Sequence, residues 1–233
     1  MIIHKLILRY LKHKDDEGFY LLQAQDTVHW LEKNRIRLDG ATVLDLGCGH
    51  GIMGGELLKK GCRVTFADKA NHLLPEYVDA DFRTIDIDKD DLETLGTYDL
   101  VICSNVLEHI PRAALLIGSI DHILNPGGRL YLSWTNWLSP WGAHDYSPFN
   151  YLGPRYGHLE YDRLVGRKRT HTPYITLFPT SIRSILKTAR QNPRLRIIRV
   201  FPRYYPELSF IVHVPVLREF LTWNCVIFAE RST

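Results

Sequence analysis

The chain is short of sulfur and of long apolar runs, and each shortage removes a class of protein. Only 4 cysteines and 2 methionines occur in 233 residues. Cys48, Cys62, Cys103 and Cys225 form no C-x-x-C pair and follow no metal-ligand spacing. That excludes a disulfide framework or a thiolate metal centre and reads as buried thiols in a reducing, cytoplasmic setting. No stretch is apolar for long enough to span a bilayer. Residues 1–12 lack the continuous apolar region and small-residue cleavage site of a secretory signal. There Ile3, Ile7 and Tyr10 or Leu11 recur at helical spacing between Lys5, Arg9 and Lys12. Such a stripe docks on the domain's own body or lies on an anionic membrane surface.

Net charge is also scarce, at +3. It conceals an asymmetry, because residues 155–203 hold 12 Lys and Arg against 2 acids. Arg167-Lys168-Arg169 is the densest part, and Arg194, Arg196 and Arg199 follow. A basic sector suits a phosphorylated group, a lipid headgroup or nucleic acid, or is a solvated face balanced by nearby acids. No nucleic-acid recognition module accompanies it, so nucleic acid is not an expected partner.

What the chain does have is glycine in one telling place. Val43-Leu44-Asp45-Leu46 is a short apolar strand that runs into Gly47, Gly49 and Gly51. A helical pattern, Ile52 to Leu58, follows. A strand, a glycine turn and a helix N-terminus make a cradle in which bare backbone approaches a ligand. Gly49, Gly51 and Gly54 also fit the dinucleotide pattern G-x-G-x-x-G, so a nicotinamide-dependent reductase is an alternative. Asp45 argues against it. A fixed carboxylate two residues before the first glycine suits a ligand with an ammonium and a sulfonium better than a pyrophosphate.

On these residues the chain resembles the class I S-adenosylmethionine-dependent methyltransferases, whose first motif reads D/E-x-G-x-G-x-G. Four later segments extend the resemblance: Arg63 to Asp68, Phe82 to Ile87, Tyr98 to Ile110, and Asn125-Pro126-Gly127-Gly128 into Leu132. It implies S-adenosylmethionine as cofactor and S-adenosylhomocysteine as product. Asp45, Gly47, Gly49 and Gly51 would form its cradle. Asp68, with Lys69 behind it, would accept the ribose hydroxyls. Asp86 and the Ile87 N–H would meet the adenine, with Asp88 competing for that role. Ser104, Asn105, Val106 and His109 would surround the methionine. A non-catalytic S-adenosylmethionine-binding protein is the other alternative.

The implied fold is α/β, a seven-stranded, mostly parallel doubly wound sheet of the Rossmann-like methyltransferase type. Helices cover both faces, and a long insertion follows strand five. One domain, 1–233, is expected, with an N-terminal helical cap (1–40), a cofactor-binding core (41–136), an acceptor loop or lid (137–179) and the C-terminal part of the sheet (180–233). A helix from Phe19 to Asn34 would cover the cofactor mouth, with Tyr20 and Gln23 as its inward polar residues. Little room remains for a full helix between Asp68 and Phe82.

The acceptor chemistry is expected in residues 134–179, too long for an ordinary loop and rich in aromatics. It leaves a strand at its carboxyl end, where ligands bind in doubly wound sheets. Trp137, Trp141, His144, Tyr146 and Tyr151 are the substrate-contacting candidates. Residues 141–153 and 214–224 also look like segments of a little-characterised bacterial branch of these methyltransferases. Methyl transfer needs alignment and dryness, and a hydroxyl acceptor needs its proton removed as well. His144 is the first candidate base, with Asp145 orienting it, His109 the second, and His158 and His171 weaker. A metal on His144, Asp145, His158 and Glu160 is not expected, because their spacing is irregular. The acceptor is read as a small molecule or a lipid-linked one, modified at oxygen. The apolar run Phe210 to Leu217 fits a homodimer contact, a membrane-facing patch or a pocket wall.

Overall fold

A computed structural model describes residues 2–12, 16–166 and 170–232. Arg167-Lys168-Arg169, the densest part of the basic sector, lies outside the described residues, as does the side chain of Asp145. Seven strands form one sheet: β1 (Thr42–Leu46), β2 (Arg63–Asp68), β3 (Asp81–Thr84), β4 (Tyr98–Ser104), β5 (Leu124–Thr135), β6 (Leu195–Pro202) and β7 (Asn224–Arg231). Their order is β3-β2-β1-β4-β5-β7-β6. Pairing is parallel from β3 to β5, and β7 runs antiparallel to both β5 and β6. The chain reverses between β1 and β4, so the crevice of the doubly wound sheet opens above those strands.

The helices are α1 (Ile3–Lys12), α2 (Asp16–Lys33), α3 (Ile52–Leu58), α4 (Ala113–Ser119), α5 (Gly157–Val165), α6 (Ile182–Gln191) and α7 (Leu217–Leu221). They explain why the central strands read as unbroken apolar runs: both faces are covered. Along β7, Cys225, Ile227 and Ala229 join the core under α4 and α6, while Val226 and Phe228 join the core under α2 and α3. That is the two-residue alternation of a strand buried on each side. On the second face Trp30 of α2 stacks on Phe201 at 4.7 Å and meets Phe228 edge-on at 5.0 Å. Such aromatic pairs each add about 0.5–1.5 kcal/mol beyond burial. They fix α2 against β6 and β7.

Asp99 ties three strands at their start: its Oδ2 accepts from the Thr42 N–H and hydroxyl, and its Oδ1 from the Asn125 amide. All four cysteines are buried and free. Between β2 and β3 there is only a 3-10 turn, Pro75–Tyr77. β3 ends at Thr84, so Asp86 lies beyond the strand rather than at its last position. Of the N-terminal stripe, Ile3 and Ile7 pack against the cluster of Leu6, Tyr204, Tyr205, Ile211 and Trp223, while the side chains of Tyr10 and Leu11 lie outside the described ones.

Candidate active site

At the carboxyl end of β1 the chain turns through Gly47, Gly49 and Gly51, whose φ values are +76°, +51° and +79°. Side-chain-bearing residues avoid that region, so the turn requires glycine. At Gly47 the need is also steric, since a Cβ there would meet Val106 Cγ2 at 2.3 Å. A Cβ on Gly49 would meet nothing within 4 Å, so its backbone borders open space. Asp45 lies beneath this turn, 2 % exposed, and its Oδ2 accepts the Gly54 N–H in the first turn of α3. Burial raises its pKa to about 7, against the lowering effect of that hydrogen bond. In the structure Asp45 therefore braces the glycine turn from below.

Asp68 ends β2 beside the turn. Its two oxygens accept the N–H groups of Gly49 (2.8 Å) and Lys69 (2.6 Å). Each oxygen keeps a further lone pair, so the carboxylate can still accept from a diol. Lys69 reaches across to Asp86 at 3.1 Å, and Lys89 adds a second contact at 3.3 Å. The Lys69 hydrogen bond is the main reason that the Asp86 carboxyl lies below its usual pKa. The Asp86 N–H is capped by Asp90, Ile87 packs against the apolar core, and Asp88 has a buried Oδ1 without a partner among the described residues.

Past β4, Asn105 adopts a φ of +58°, unusual outside glycine. Its N–H donates to the Ser133 carbonyl, its amide to Gln23, and its Oδ1 accepts from Asn224. Arg203, 1 % exposed, lies at the centre of this polar layer. Its Nη1 donates to Ser104 Oγ, Gln23 Oε1 and Ser133 Oγ, and its Nη2 to Thr27 Oγ1 and the Gln23 carbonyl. Gln23 thus points inward as expected. Tyr20 does not, being 46 % exposed.

Three imidazoles meet on the other side of the β4 turn. The ring centres of His109 and His144 are 5.4 Å apart, with His171 at 5.2 Å and 4.8 Å from them. His109 Nδ1 lies 2.8 Å from the Thr176 carbonyl. A carbonyl only accepts, so Nδ1 carries the proton and Nε2 of the neutral ring is a bare lone pair. His144 sits at a φ of +50° with its Nε2 buried and unpartnered among the described residues. Burial, with His109 and His171 beside it, lowers its pKa to about 3. It is neutral at physiological pH and too weakly basic to be the main proton acceptor. Glu108, buried at 1 % exposure, accepts the Thr135 N–H through Oε1. Its Oε2 is buried without a partner among the described residues, and burial holds its pKa above the usual carboxylate range.

Trp137 and Tyr146 are buried with Ala143, Tyr161 and Leu177 in a core of the insertion's own, because a segment this long must bury apolar surface to hold a shape. Their rings help to hold the insertion's shape. Trp141 stacks on Trp223 at 4.1 Å, and the 47 % exposed Tyr151 stacks on Phe220 at 6.3 Å. The 141–153 and 214–224 segments therefore pack on each other. His158 is turned away to the Pro154 carbonyl, and Glu160 pairs with Arg163. Sequence reasoning missed Glu108, Ser133 and Arg203. For Arg203 a signal existed, a lone cation inside the apolar run 200–205.

The match to known proteins agrees with this geometry. A methyltransferase domain family matches residues 8–177. An uncharacterised methyltransferase of Mycobacteroides abscessus is 31% identical over 231 residues, covering 91% of this chain and 86% of the relative. Among solved structures, magnesium protoporphyrin IX methyltransferase of Synechocystis PCC 6803 with bound S-adenosylhomocysteine superposes with a TM-score of 0.59. It is 20% identical, over 93% of this chain and 86% of that one. The 1,6-didemethyltoxoflavin-N1-methyltransferase of Burkholderia thailandensis gives a TM-score of 0.56 at 15% identity, over 99% and 87% of the two chains. The chain belongs to the class I S-adenosylmethionine-dependent methyltransferases, and its sheet is the fold of that class.

Proposed function

We propose that this methyltransferase moves the methyl group of S-adenosylmethionine to an oxygen of a small-molecule or lipid-linked acceptor. The observation that carries the reading is the imidazole cluster of His109, His144 and His171, directly behind the Asn105–Val106 turn. In this reading residues 41–136 hold the cofactor, 137–179 shape the acceptor side, 1–40 cap the mouth and 180–233 complete the sheet. Gly47, Gly49 and Gly51 bring backbone to the cofactor, and Asp45 keeps that turn in place. Asp68 accepts the ribose diol, and Asp86 with the Ile87 N–H faces the adenine. Ser104, Asn105 and Val106 line the methionine.

The sulfonium supplies the leaving group, so the protein mainly aligns donor and acceptor and excludes water. A hydroxyl acceptor must also lose its proton. The bare Nε2 of His109 is suited to take it, while neutral His144 shapes the pocket beside it. A nitrogen acceptor that carries a free lone pair has less need of the bare Nε2 of His109. The lipid-linked option has separate support in exposed apolar side chains of the connection between β6 and β7, Phe210, Val216 and Leu221. No described helix is long and apolar enough to cross a membrane.

The test is methyl transfer from labelled S-adenosylmethionine to phenols with and without an isoprenoid tail, next to amine analogues. Ether products at the hydroxyl are expected. Transfer confined to the amines would overturn the oxygen assignment.

A further inference from the structure

Three side chains from two distant connections aim ligating atoms at one point. One ligand atom each of Glu108, His109 and His144 lies within 4.8 Å of the others. Two of these residues hold a buried atom without a partner among the described residues, Glu108 Oε2 and His144 Nε2. Leaving such atoms unpaired costs about 1–3 kcal/mol each, so a stable fold that keeps two of them in one cluster of three residues has a use for them. The third, His109, spends its Nδ1–H on the Thr176 carbonyl. That hydrogen bond is the outer-shell contact that orients an imidazole so that its other nitrogen can bind a metal. Glu108 is oriented likewise by the Thr135 N–H at 2.9 Å.

We propose that Glu108, His109 and His144 form a binding site for a divalent transition-metal ion, with zinc as the best fit. The assignment rests on reading this cluster as the acceptor side of the methyltransferase site, and it deepens that reading. Two imidazoles and one carboxylate exclude the hard, all-oxygen preference of magnesium and calcium. The same three donors with an open fourth position make a catalytic zinc site. Ligand atoms about 2.0–2.2 Å from zinc stand roughly 3.3–3.6 Å apart, so closing the set needs side-chain shifts of about 1 Å. His171 brings a further imidazole to the rim, its ring centre 4.8 Å from that of His144.

The open position would take the acceptor's hydroxyl oxygen. Coordination acidifies that hydroxyl, and its proton leaves to solvent. The O–CH3 bond then forms as the S–CH3 bond breaks, leaving a neutral thioether. In the metal-loaded protein the ion thus replaces His109 as the means of generating the alkoxide or phenoxide.

The experiment measures metal content. Wild-type protein is stripped with a chelator, reloaded with zinc, desalted and assayed by mass spectrometry, and cobalt(II) is loaded in parallel for its visible d–d spectrum. Glu108→Gln keeps the amide-facing oxygen and removes the charge, while His144→Ala removes a half-buried ring. His158→Ala, whose ring bonds the Pro154 carbonyl, is the control. One zinc per chain is expected in wild type and control, with affinity at least tenfold weaker in both site variants. The cobalt spectrum should be low-symmetry and intense in wild type and control, and lost in both site variants. Absence of stoichiometric zinc and cobalt, or equal retention by both variants at matched thermal midpoints, would overturn the site. Should one variant fail to fold, the other decides. S-adenosylhomocysteine calorimetry on the stripped protein separates the two readings. Tight binding without zinc uptake removes the metal and leaves the methyltransferase, while loss of cofactor binding with zinc retained does the reverse.

Discussion

At the carboxyl ends of β1 and β2 the chain offers backbone; at the carboxyl ends of β4 and β5 it offers side chains. The first region is a turn of left-handed glycines stitched by Asp45 and Asp68 to neighbouring N–H groups. The second is a layer of buried polar groups around Arg203, next to three imidazoles and Glu108. A backbone site tolerates few residue types and serves one ligand shape. A side-chain site can be rebuilt residue by residue. A methyltransferase that keeps its donor and varies its acceptor needs this division of labour.

The largest expected effect breaks the backbone half from beneath. Asp45 has a pKa raised from 3.8 to about 7 in the folded chain. A raised carboxyl contributes its stability below the unfolded pKa and loses it as pH climbs to the folded one. Stability of the wild type relative to Asp45→Asn should therefore fall between about pH 4 and pH 7, by up to about 4 kcal/mol, and stay level above. Urea unfolding of both proteins across that range measures it.

Next is the side-chain half. Arg203→Ala removes a buried cation that serves Ser104, Ser133, Gln23 and Thr27, and leaves a cavity. A loss of about 3 kcal/mol is expected, read as a fall in thermal midpoint of about 10 °C. Gly49→Ala, whose Cβ would enter open space, should leave the fold in place and cost about 2.7 kcal/mol, or about a hundredfold, in S-adenosylhomocysteine affinity. Calorimetry would show the loss, and unchanged binding would mean that the turn does not approach the cofactor. Smaller still is Asp68→Asn, which keeps one acceptor oxygen. About tenfold weaker binding is expected by the same titration.

The same contrast explains what could be read in advance. The glycine turn, β1, β2, β4, β5 and the order of acids are local patterns, set by φ and by two-residue alternation, and so they are legible in the sequence. So is the seven-stranded sheet, once those patterns fall in order. The imidazole cluster is not local. His109 and His144 come from separate connections, and only the packing of the insertion on Trp223 and Phe220 brings them together. The places of Trp137 and Tyr146 are not legible for a physical reason. An aromatic serves an insertion's own core as well as it serves a ligand, and composition cannot distinguish the two. His144 resembled a base because an imidazole near its ordinary pKa is one. Its burial beside His109 and His171 lowers that pKa to about 3, which no local pattern announces.

The division between donor and acceptor halves is tested most directly by His109→Ala, measured twice on one preparation. Calorimetry with S-adenosylhomocysteine should give a dissociation constant within about twofold of wild type, while methyl transfer to a hydroxylated acceptor falls about a hundredfold. Transfer that survives the substitution, or cofactor binding that is lost with it, would contradict the account.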